Sequence, residues 1–214
     1  MRKKLYFSTL LFVLLLSSFL FSADDKTLIQ LIKNSPGKNT YPNSNTLIIF
    51  DSTSVKVMET GLSYYNTHTL TTVLTPKGAQ ELLVQNFGYD PLTAYVDVKK
   101  IRIFRIDGRI EEIPPENILD HPAPARAIYW GAREKMVPVG RLEIGDALEC
   151  ITFKKGFTYA LLLNSDQRTF LYANAEFQNS KTEDEKYIPP MKGHFYDIVP
   201  FWSFTPVLVK SYTV

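Results

Sequence analysis

The chain has almost no cysteine: 214 residues hold one, Cys150. A disulfide framework inside the chain is therefore excluded, and packing has to hold the fold. Histidine is nearly as scarce. His68, His121 and His194 lie too far apart for the closely spaced ligand pairs of a zinc site, so no metal is expected. There is no Gly-rich phosphate loop, no Gly-x-Ser-x-Gly elbow and no dinucleotide fingerprint, so no cofactor is expected either. Basic clustering is missing as well. Of 24 Lys and Arg, three stand at positions 2, 3 and 4, and the other 21 face 22 acids. A near-neutral chain without a basic face excludes nucleic acid as the expected partner. The pairs Lys99-Lys100 and Lys154-Lys155 read as solvated strand edges.

No uncharged apolar run of membrane-spanning length follows Phe21. What precedes it, "MRKKLYFSTLLFVLLLSSFLFSADD", sets Arg2, Lys3 and Lys4 before an apolar stretch from Leu5 to Phe21, then small Ser22 and Ala23. This is the layout of a secretory signal peptide over residues 1–23, and it predicts an exported, periplasmic or extracellular protein. The alternative is an uncleaved membrane anchor, because 17 apolar residues sit at the lower edge of a bilayer span.

The apolar share, 45%, is ample for a core. An N-terminal helix and linker are expected over 24–40, the helix in "DDKTLIQLIKN". Two long strands should flank Glu59-Thr60-Gly61, with Leu62, Tyr64, His68, Leu70 and Leu74 on one face of the second. Thr75-Pro76 opens a helix expected to make two turns before Gly88. In "AYVDVKKIRIFRIDGRIEEIPPENI" the alternation changes phase at Lys99-Lys100, which predicts a bulge. Asp107-Gly108 predicts a hairpin turn, and Pro114-Pro115 ends the returning strand. The proline-rich stretch after it reads as a loop with one helical turn over Glu116–Leu119. Three strands are expected in "IYWGAREKMVPV", "DALECITFKK" and "GFTYALLLN", then a polar excursion over 155–190, then a strand at the C-terminus. Strands separated by turn signals with few helices predict an all-β protein, an antiparallel β-sandwich with short peripheral helices.

The candidates for chemistry are few. Cys150 lies mid-strand in "ALECITF", away from the helix N-terminus or imidazole that would activate a thiol, and is expected to be a buried small hydrophobe. Asp120-His121 reads as a solvated loop pair, and Glu111-Glu112 as edge charges on opposite faces. No catalytic residue is expected, and the chain reads as a non-enzyme. The binding-like features are Tyr129-Trp130, flanked by Arg126 and Arg133, and Phe201-Trp202-Ser203-Phe204. Adjacent aromatics on strands ordinarily divide between core and edge, and that division is the expectation here. If instead they form a surface, Tyr129, Trp130, Arg133 and Trp202 are its candidate residues.

Four stretches, "YPNSNTLIIFDSTSVKV", "YVDVKKIRIFRIDGRIEEIPPENI", "REKMVPVGRLEIGDALECITF" and "FYDIVPFWSFTPVLVKSYTV", resemble in their order the domain of unknown function 3857. The marks are Asp107-Gly108, Pro114, the turn Leu142-x-Ile144-Gly145-Asp146, and Pro206-Val207-Leu208. The resemblance covers Tyr41 to Val214. It implies an all-β, sandwich-like domain over 41–214 without catalytic residues of its own, commonly found ahead of a transglutaminase-like domain in exported bacterial proteins. Asp107, Gly108, Pro114, Gly145, Asp146 and Pro206 are then structural signature positions. Two functions follow as expectations. One is a non-catalytic envelope module that binds a protein or polysaccharide partner. The other is the front portion of a transglutaminase-like or cysteine-protease-like enzyme whose catalytic domain lies beyond residue 214.

Overall fold

β-Branched and aromatic residues at period two build most of the molecule. The structure, a computed structural model, describes residues 24–124, 131–158, 184–189 and 191–214. Helix α1, Asp25–Asn34, belongs to a unit ending at Ser35. It starts on acidic Asp25 and ends near Lys33, both favourable to the helix dipole. Ser35 closes it by donating from its amide and its hydroxyl to the Ile32 carbonyl.

The second unit runs from Pro36 to Val214. Strands β1 (Thr46–Val57) and β2 (Ser63–Val73) form the expected antiparallel hairpin, its turn closed by the Met58 amide on Leu62 O. Tyr64, His68 and Leu70 share one face of β2 as expected, whereas Leu62 and Leu74 lie just past its ends. Helix α2 spans only Pro76–Glu81, capped by the Thr75 hydroxyl accepting from the Gly78 amide at 3.0 Å. Its six residues make most of the two turns expected, and the stretch from Val84 through Gly88 belongs to strand β3, Val84–Tyr89. Here Gln85, Phe87 and Tyr89 alternate with more exposed neighbours, and pairing with a later strand overrides a local pattern that suited a helix equally well.

Strand β4 (Ala94–Phe104) carries the predicted bulge, a register shift between Val98 and Lys100 against its neighbour. The Asp107-Gly108 hairpin, with Gly108 at φ +91°, turns β4 into β5 (Ile110–Glu112). The expected helical turn is a short 3-10 turn at Pro115–Asn117, and Leu119 instead begins strand β6, Leu119–Pro122. Strands β7 (Arg133–Pro138) and β8 (Ala147–Gly156) follow. Of the third expected strand only its first residues are described, and Gly156 belongs to β8; the rest lies outside the described residues. A 3-10 turn at Glu185–Tyr187 precedes the final strand, β9, Val207–Thr213.

Six strands form one sheet in the order β5-β4-β8-β2-β1-β9, and three form another, β3-β7-β6. The fold is all-β, with one departure from the antiparallel expectation: β9 lies parallel to β1. The two strands stand about 150 residues apart in the chain, so no hairpin dictates their direction. Val98, Ile101 and Ile103 of β4, Leu148 and Cys150 of β8 and Val73 of β2 pack with Val137 of β7, closing a core between the sheets. The Lys154-Lys155 pair is not the solvated strand edge expected. It lies on β8, inside the sheet, where the Lys154 ammonium sits 4.9 Å from the Tyr65 ring centroid and Lys155 holds Asp184 at 2.9 Å.

Candidate functional site

The large sheet carries Leu148 and Cys150 on its core face, so the alternation of β8 turns Glu149 to the other. That carboxylate is 1% exposed. His68 Nε2 donates to it at 2.7 Å from β2, and Arg102 Nε at 2.6 Å from β4. The register explains the meeting: Arg102 stands directly opposite Glu149, and His68 is its diagonal neighbour across β2. Burial alone would raise the Glu149 pKa, but the two donors and their charges outweigh it and hold the carboxyl below its ordinary range. The Phe50 ring meets His68 edge-on, with centroids 4.7 Å apart. Ser52, opposite His68, accepts from Ser211 at 2.8 Å, extending a polar row across the sheet. Sequence reasoning missed this site. Its only trace was a polar residue, Glu149, at an otherwise apolar strand position.

A second cluster joins four of the signature residues. Asp146, 1% exposed, accepts from Arg105 Nη1 at 2.8 Å, from the Ile106 amide at 3.1 Å and from the Glu143 amide at 2.9 Å. Arg105 also donates to Glu111 at 2.6 Å, and this raises its pKa despite the opposing effect of burial. Asp146 thereby ties the Asp107-Gly108 turn to the loop entering β8. Gly145 sits in the left-handed region at φ +91°, and a Cβ there would meet Ile106 Cδ1 at 2.8 Å. Arg105, Arg109 and Arg141, with Asp107, Glu111, Glu143 and Asp146, line an open cleft of about 330 Å³, in which acids and arginines largely neutralise each other. Asp146 and the close approach of Gly145 to Ile106 thus hold the loop entering β8 against the turn that contains Asp107 and Gly108. Pro114 leads into the 3-10 turn, and the Pro206 carbonyl accepts from the Ile48 amide at 3.0 Å, setting β9 against β1.

Asp120 and His121 lie on β6 rather than in a loop, and they do not face each other. Asp120 accepts from Tyr89 OH, Arg133 Nε and Lys135 Nζ, each at 2.8 Å. Its pKa is lowered because these donors outweigh the opposing burial. Arg133 thus holds Asp120, donating to its side chain and to its carbonyl. His121 Nδ1 donates to the Pro122 carbonyl at 2.8 Å, with Glu134 3.4 Å from Nε2. His194 is exposed. Glu111 and Glu112 lie on edge strand β5 as expected. Cys150 is buried, which pushes its thiol pKa up to about 12 and keeps it protonated near neutral pH.

The aromatics at the other binding candidate break the expected division between core and edge. Phe201 is 66% exposed, Trp202 72% and Phe204 96%, with Ile198 and Tyr196 also open. Trp202 and Phe204 meet edge to face with centroids 5.6 Å apart. The prolines at 200 and 206 and the absence of regular structure before β9 keep this segment out of either sheet, so strand alternation never sorts its side chains. Tyr129, Trp130 and Arg126 lie outside the described residues. Among the described residues, no cluster of His, Cys, Asp or Glu could hold a metal ion, and no helix is long and apolar enough to cross a membrane.

No curated protein matches the chain in sequence. Among solved structures, one from Parabacteroides distasonis ATCC 8503, named provisionally as a protease, is similar at 18% identity with a TM-score of 0.45. The alignment covers 52% of this chain and 23% of that one, so the chain spans under a quarter of its length. The family model of the domain of unknown function with solved structure, DUF3857, matches residues 59–214. It begins in the β1–β2 turn, later than the resemblance from Tyr41, and takes in β2 to β9 with every signature position. With most of its length matched, from the first hairpin to the last strand, the chain belongs to the DUF3857 family.

Proposed function

We propose that the chain is an exported, non-catalytic β module that binds a protein or glycan partner in the cell envelope. The observation that carries this reading is the open aromatic segment Phe201–Phe204. Soluble proteins leave few contiguous apolar patches uncovered, and large ones mark binding surfaces. Aromatic side chains are also the residues that dominate binding energy at such surfaces. The protonated thiol of Cys150 and the fully engaged Glu149 carboxylate fit a scaffold better than an active centre. Export rests on the basic and apolar N-terminal residues.

The test uses the purified chain and a Trp202→Ala, Phe204→Ser variant, each presented to envelope protein extract and to isolated cell-wall polysaccharide. One arm should retain the wild type and release the variant, with no amidase or acyl-transfer activity in either protein. Equal retention of the two proteins in both arms would overturn the proposal, as would amidase activity in the purified chain.

A further inference from the structure

The large sheet ends differently on its two sides. Strand β5 has three residues, carries Glu111 and Glu112, and runs into Pro114-Pro115. Short length, charge and proline are the devices that keep another strand from adding. Strand β9 has seven residues, no proline, and one charge, Lys210. Leu208 and Val209 are 39% and 57% exposed. The bond from the Ile48 amide to Pro206 O, with Val207 in register with Ile48, fixes which backbone groups face β1. In a parallel ladder these belong to alternate residues, here 206, 208, 210 and 212. The amides and carbonyls of Val207, Val209, Ser211 and Thr213 therefore face outward. Among the described residues, no strand meets them.

We propose that β9 is the docking edge for an extended strand of a partner polypeptide, one with apolar residues and an acidic residue placed opposite Lys210. This rests on the reading of the chain as a binding module and names its partner's chemistry. The charge pattern selects the occupant. On the inner side of β9, β1 sets Asp51 in register with Lys210, and the two pair at 2.9 Å. The outer strand lies in the mirrored position and meets the same cation. A second copy is disfavoured, because antiparallel pairing centred on β9 would set Lys210 against Lys210, and like charges directly opposite destabilise a sheet. Main-chain hydrogen bonds then give affinity and the residue facing Lys210 gives selectivity.

The probe is a fluorescein-labelled peptide with the β1 sequence TLIIFDSTSVKV, whose aspartate is the residue that already faces Lys210. A second peptide carries Lys in its place. Titrated with the purified full chain and followed by anisotropy, the first should bind saturably and the second about two- to fivefold more weakly, as loss of a cross-strand charge pair implies. Val209→Lys, at an exposed position, should abolish binding while leaving the thermal midpoint unchanged. Ser211→Pro removes an outward amide and serves as a second edge variant. No binding of the first peptide would overturn the proposal, as would equal binding to the wild type and both edge variants. A concentration-dependent dimer of the chain alone, lost in Val209→Lys, would assign the edge to a second copy and overturn it too. Phe204→Ser separates the two readings: peptide binding kept there and lost in Val209→Lys supports the edge even if the aromatic segment binds nothing.

Discussion

Replacing Arg102 by Met removes the guanidinium, whose Cζ lies 5.1 Å from the Phe104 ring centroid, and leaves Glu149 buried with the His68 imidazole as its remaining side-chain donor. Breaking one half of a buried ion pair costs about 3–5 kcal/mol, because the other charge stays desolvated without its partner. We take about 3 kcal/mol, since His68 still donates at 2.7 Å. For a domain of this size that lowers the thermal midpoint by roughly 6–12 °C. The double variant Arg102→Met, Glu149→Leu removes both charges and should recover at least about half of the loss, because apolar replacement of a buried pair is often neutral. The pH dependence has a defined sign. Glu149 has its folded pKa depressed below its ordinary 4.5. Its stabilisation is therefore complete above that value and is lost as pH falls through the folded pKa. Arg102→Met weakens the depression, so wild type and variant should differ most near neutrality and converge in acid. Thermal and urea melts between pH 3 and 7 measure this. A loss below about 0.5 kcal/mol at pH 7, or a double variant no more stable than the single, would refute the reasoning.

Gly145→Ala forces a Cβ against Ile106 at φ +91° and should cost about 1–2 kcal/mol by urea denaturation, whereas Gly37→Ala, in open space, should cost little. Cys150 should resist iodoacetamide in the native protein at pH 8 and label fully in urea, since its pKa of about 12 leaves almost no thiolate. The Tyr65 hydroxyl is buried near the side chains of Ser63 and Thr158 without a well-aligned hydrogen bond, so Tyr65→Phe should change stability by no more than about 1 kcal/mol in the same melts.

Local chemistry was legible in the sequence, and long-range pairing was not. Asp107-Gly108 announced its hairpin because the turn needs a left-handed residue at a fixed place. The phase change at Lys99-Lys100 announced the bulge because side chains alternate strictly. Cys150 was legible as core from its apolar neighbours. By contrast, Val84–Tyr89 becomes a strand through pairing with Arg133–Pro138, a partner distant in sequence, and Leu119–Pro122 through pairing with that same strand. The same holds for the parallel seat of β9 and for the Glu149 network, whose members come from three strands 34 to 81 residues apart. Trp202 stands out in the sequence as a candidate, but its exposure cannot be read from spacing. Alternation sorts side chains only within a ladder, and residues 201–204 are outside one.

The central claim is that the open aromatic segment is a contact surface for a partner. A photo-cross-linking residue at position 204, compared with one at exposed Glu116, tests it most directly in protein exposed to envelope extract and cell-wall polysaccharide. The account predicts a discrete adduct from position 204 that is absent from position 116. No adduct at 204, or the same adduct at both positions, would contradict it.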